Sequence, residues 1–124
     1  MKVASKYLYI SRMSSNAQST VRAAVAHAEQ NKNTSVHEMS LAEFTNLVNL
    51  PRETTTTQII SIMTETRRAI MAVRVIEYSA SGKKDLLNSN WPIFLFVTVT
   101  NSDVSFEVAH ISGQISINSM PVDA

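Results

Sequence analysis

The 124 residues include no cysteine, which excludes disulfides and thiol catalysis and favours a cytoplasmic setting. Glycine is scarce as well, with two residues, and proline occurs three times. A glycine-rich phosphate loop, a flexible linker and a glycine-punctuated repeat are all ruled out. No apolar run approaches the ~20 residues that cross a bilayer. The opening MKVASKYLYISR is too polar and too broken for a signal peptide. His27, His37 and His110 fall in separate segments without HExxH spacing, so neither a metal nor a cofactor is expected. No serine or threonine has a visible base and orienting group, and no enzyme is expected. Glu38, Glu43, Glu53 and Glu65 suit helix starts better than a catalytic carboxylate pair.

What is present suits one domain with a modest core: hydrophobic residues make up 44% of the chain. The formal charge of +1 permits a nucleic-acid partner only where basic residues cluster. Residues 1–12 read as a lead-in or short strand with Tyr7, Leu8 and Ile10 apolar. A helix follows, capped at Ser14 or Ser15, with Val21, Ala24, Val25 and Ala28 on one face. VHEMS at 36–40 reads as a short strand. Ser40 and Glu43 have capping-box spacing ahead of a helix that carries Leu41, Phe44, Leu47 and Val48, with Pro51 stopping it. A third helix is expected over 55–72, because Ile59, Ile62, Met63, Thr66 and Ile70 keep helical spacing. Alternation at Val73, Val75 and Tyr78 predicts a strand after it, then a polar loop at 82–85. WPIFLFVTVT, the turn at 101–103 and VSFEVAHI predict a β-hairpin. The tail 112–124 alternates weakly.

This order defines an α+β fold of winged-helix type, with three main helices, a small antiparallel sheet and a C-terminal hairpin. Its candidate DNA contacts are Arg52, Thr54, Thr55, Gln58, Arg67, Arg68, Arg74, Lys83 and Lys84. Threonine hydroxyls and free N–H groups at a helix start suit phosphate; the alternative is that the threonines only cap the helix and the arginines are solvated. Arg67 has a further alternative, an ion pair with Glu43 or Glu77. On the hairpin, Phe94, Phe96, Val104, Phe106 and Val108 form one apolar face for core or dimer packing. Ile93, Leu95, Val97 and Val99 make the other face of its first strand apolar too. That doubling predicts a homodimer, or cover from the chain's own ends.

The segments YISRMSSNAQSTVRAAVAHAEQ, VHEMSLAEFTNLVNLP, ISIMTETRRAIMAVRVIEY and WPIFLFVTVTNSDVSFEVAHISGQI carry a resemblance. Their order and apolar spacing resemble the N-terminal winged-helix domain of iteron-plasmid replication initiators of the F-plasmid type, with Ser14 and Gln18 fitting the opening helix. Two features depart from that pattern. His110, Ile111 and Ser112 stand where the family has a proline after the return strand, and the 124 residues end before a second winged-helix domain could begin. The resemblance implies either an excised first domain or a short relative. It implies a non-catalytic role in plasmid replication initiation: dimerisation as autorepressor, contact with the backbone of double-stranded DNA as monomer, and recruitment of host replication proteins. By position, Phe94, Phe96, Phe106 and Val108 would serve core or dimer packing, and Arg52, Arg67, Arg68 and Arg74 would face DNA. Two other functions fit the same fold: a sequence-specific transcription regulator reading bases through Gln58, and a protein-interaction domain without DNA.

Overall fold

The computed structural model of the chain describes residues 2–109, without the side chains of residues 6–9 and 73. The tail 112–124 and His110 lie outside the described residues. Strand β1 (Val3–Ile10) precedes helix α1 (Ser15–Gln30). Strand β2 (His37–Ser40) runs directly into α2 (Leu41–Val48), and α3 (Thr56–Thr66) follows. Four strands complete the order: β3 (Ile70–Ser79), β4 (Gly82–Pro92), β5 (Phe94–Val99) and β6 (Asp103–Val108). The class is α+β, with three helices and small antiparallel sheets. There are two sheets, ordered β1–β3–β4 and β2–β6–β5, where the sequence predicted one.

Each helix starts where its chemistry puts it. Ser14 Oγ accepts from the Ala17 N–H at the start of α1. Ser40 and Glu43 form the expected capping box of α2, with Glu43 N donating to Ser40 Oγ and Ser40 N donating to Glu43 Oε1. A second box opens α3: Thr55 N donates to Gln58 Oε1 at 2.8 Å and Gln58 N to Thr55 Oγ1 at 3.2 Å. Asn49 ends α2 in the left-handed region, at φ 62°, which asparagine tolerates better than most residues. The apolar stripe of α1 (Val21, Ala24 and Val25) packs with Phe44, Ile59 and Met63 of the other helices. Ile10, Met39, Met71, Ile93, Phe94, Val104 and Phe106 of the strands complete this core.

The third helix is shorter than its spacing predicts. It stops at Thr66, not 72, and strand begins at Ile70, not Val73. Pairing with β1 decides this. Ser11 N donates to Ile70 O at 2.9 Å, Ile70 N donates to Ser11 Oγ at 3.0 Å, and Ile10 lies in register with Met71. The segment read as a lead-in is therefore the partner that pulls residues 70–72 out of the helix. The expected polar loop at 82–85 is also strand: Lys83, Lys84 and Asp85 pair with Tyr78, Glu77 and Ile76. The tight turn before them rests on Gly82 at φ 125°, a conformation other residues avoid. Trp91 and Pro92 end β4 rather than beginning the hairpin.

The hairpin itself forms, with one correction. Phe94 pairs with Val108 and Phe96 with Glu107, so Leu95 is an extra residue that shifts the pleat. Before it Phe94 is buried; after it Val97 and Val99 turn to the core instead of Phe96. Phe96 is 36% exposed and Leu95 59%. Phe96 therefore leaves the predicted core face, whereas Phe94, Val104 and Phe106 are buried there and Val108 packs beside them.

Candidate nucleic-acid interface

The outer side of α3 is polar from end to end. Thr57, Gln58, Ser61, Thr64 and Arg68 are all exposed, at spacings of three and four that keep them together along one helix flank. Ile60 is the apolar exception, at 45% exposure. The one acid of this helix, Glu65, stands on this flank too, four places from Ser61 and three from Arg68, and is held by the start of α1. It accepts from the backbone N–H of Ser14 at 3.1 Å and from the Ser14 hydroxyl. Those bonds favour the carboxylate and hold Glu65 below its ordinary pKa, first through the hydroxyl and then through the N–H, against a small opposing effect of burial. The flank thus ends in two exposed arginines beside a single carboxylate that Ser14 engages.

At the start of α3 the expected residues gather, but much of their hydrogen-bonding capacity is used. The Thr54 hydroxyl donates to Pro51 O at 2.6 Å, and the capping box occupies Thr55, the Gln58 N–H and the Gln58 carbonyl. Among the described residues this leaves the N–H groups of Thr56 and Thr57, the Gln58 amide donors and the exposed Arg52 available to an anion. Glu53 stands exposed beside Arg52 and weakens that end. An open cleft of about 420 Å³ runs beside it between Asn16, Pro51, Thr54 and Ser61.

The nine candidate contacts occupy four places. Arg52, Thr54, Thr55 and Gln58 share the start of α3. Arg67 and Arg68 are exposed at its other end, roughly 16 Å away at 1.5 Å per residue. Arg67 forms no ion pair with Glu43 or Glu77 among the described residues; Glu43 caps α2 and Glu77 lies 3.9 Å from Lys2. Lys83 and Lys84 are exposed at the far tip of the β3–β4 hairpin, and Arg74 lies midway along β3. A ten-residue strand puts that tip roughly 33 Å from the end of α3.

Two groupings had little or no local signal. Ser14 and Glu65 are 51 positions apart, and nothing near either residue announces the pair. The histidines fall in separate segments of the sequence, yet His27 and His37 meet. His37 is 5% exposed, its ring centroid 5.2 Å from that of His27 and 5.4 Å from that of Phe106. The available clue was phase: in VHEMS, His37 alternates with the core residue Met39, not with Glu38. Among the described residues no group of three potential metal ligands stands together, and no helix is long and apolar enough to cross a membrane. No family model, curated protein or solved structure matches the chain.

Proposed function

We propose that the chain is a winged-helix DNA-binding domain of the replication-initiator kind, acting without catalysis by contacting duplex backbone and by pairing with a second copy. The observation that carries this reading is the exposed polar flank of α3 ending in Arg67 and Arg68, its one acid, Glu65, already engaged by Ser14, with Arg52 at its start. The topology supports it. β2 precedes α2 and α3, then pairs with β6, the return strand of the C-terminal hairpin. This is the connection a winged helix needs to hold its third helix outward beside the hairpin. The resemblance to plasmid initiators supports the narrower role in replication initiation and the host replication proteins as further partners.

The test is fluorescence anisotropy of a short labelled duplex with the full chain across a salt series. Binding should weaken steeply with salt and change little with sequence. Arg67→Ala with Arg68→Ala should weaken it on every sequence. Sequence-selective binding lost on Gln58→Ala would move the reading to a transcription regulator. No binding at low salt would refute it and leave a protein-interaction domain.

A further inference from the structure

Four rings from four elements meet at one corner of the core: His27 from α1, His37 from β2, Phe106 from β6 and Phe94 from β5. His37 stacks on Phe106 at an interplanar angle of 27°, and His27 stands edge-on to His37 at 79°. Phe106 and Phe94 are buried, His37 nearly so, and His27 half-buried. This corner joins the last turns of α1 to every strand of the β2–β6–β5 sheet. Both imidazoles fit it while neutral, as aromatic rings among aromatic rings. We propose that His27 and His37 form a proton-operated latch that fastens the end of α1 to this sheet and is released at mildly acidic pH.

The charges around the corner decide the direction. From α1, His27 opposes a proton on His37, and from β6, Glu107 favours it. Phe94 of β5 brings no charge, and Glu38 on β2 alternates to the exposed side. Burial is the largest influence and holds His37 below its ordinary value; His27 adds to this and Glu107 offsets part of it. An unfolded or released His37 takes up its proton near pH 6.5, more readily than the packed one. Stability from the latch is therefore complete above that value and falls as pH drops toward the lowered pKa of the packed ring. The other end of β2 stays tied, because Leu41 N donates to Ser102 O at 3.1 Å and Ser40 caps α2. Release is thus local to residues 31–39 and the last turn of α1. This device is independent of DNA binding.

The experiment is amide hydrogen exchange of the full chain from about pH 7.5 to 5.5, corrected for intrinsic rates, with the His37 imidazole followed by NMR. Exchange at 36–39 and in the last turn of α1 should rise about tenfold for each unit that His37 is displaced. His27→Gln should shrink that rise and move His37 titration upward. Glu107→Gln should enlarge the rise and move the titration downward. His37→Phe keeps a ring in place and should abolish the pH dependence. Exchange that is flat across this window, or identical in His27→Gln, Glu107→Gln and the parent chain, would overturn the latch. Because His27 and Glu107 are not fully buried, those two variants test it even if His37→Phe does not fold.

Discussion

Thr66 Oγ1 is buried near the end of α3 with no hydrogen-bond partner among the described residues. A hydroxyl taken out of water and left unpaired is destabilising, and a methyl of similar shape removes that cost. Thr66→Val should therefore raise stability by about 1 kcal/mol in urea unfolding; a loss instead would mean that the hydroxyl is satisfied. Glu65, a single residue earlier, has the opposite character, since its carboxylate receives two bonds from Ser14. Glu65→Ala should lower stability by about 1 kcal/mol at neutral pH, the usual scale for a lost helix-start interaction. The sign with pH follows from its lowered pKa. The contribution is present above the ordinary carboxylate value and is lost as pH falls through the folded one. The parent and Glu65→Ala unfolding curves should converge in acid, in a window separate from that of His37. At this scale the sequence is legible where partners are three residues apart, as in the Ser40–Glu43 box. It is silent where they are distant, as with Glu65 and Ser14, because no local pattern encodes a contact across the core.

Strands show the same division. The β5–β6 hairpin is readable from alternation and turn residues alone, but the extra residue Leu95 reverses the phase of everything after Phe94. Period two carries no mark of where a bulge falls. Two truncations measure that reversal. Phe94→Ala should cost about 3 kcal/mol as a buried ring removed from the core, whereas Phe96→Ala should cost under about 1 kcal/mol. Equal losses would place both rings inside and remove the bulge. Strand β4 is illegible in the sequence for another reason. GKKDLLNSNWP is exposed almost throughout, so it has no buried phase to show, and it becomes a strand through its hydrogen bonds to β3. The end of α3 is not legible locally because Ile70 fits a helix face as well as a strand start. Its partner, β1, lies some 60 residues upstream along a chain whose local pattern could not announce the pairing.

On the scale of the whole molecule, the exposed apolar surface is not confined to the hairpin. Leu95 and Phe96 remain outside, but a second group lies on the β1–β3–β4 sheet. Leu87 and Trp91 are 45% and 56% exposed, in register with Val75 and Met71, and Leu86 is 49% exposed as the extra residue where the β3–β4 register shifts. Residues opposite one another share a face of the pleat. Leu87 and Trp91 thus extend the buried patch at Met71 outward along one side of this sheet. An apolar surface of this kind is the feature a second copy would cover if the proposed pairing occurs. Leu87→Lys with Trp91→Lys should then leave a monomer in light scattering at concentrations where the parent chain is dimeric, with its circular dichroism unchanged. Leu95→Lys should leave the dimer intact. A dimer broken only by Leu95→Lys would return the interface to the hairpin. A parent chain that stays monomeric at every concentration would remove self-association from the proposed function, while leaving the arginine-ended flank of α3 to stand or fall on its own binding test.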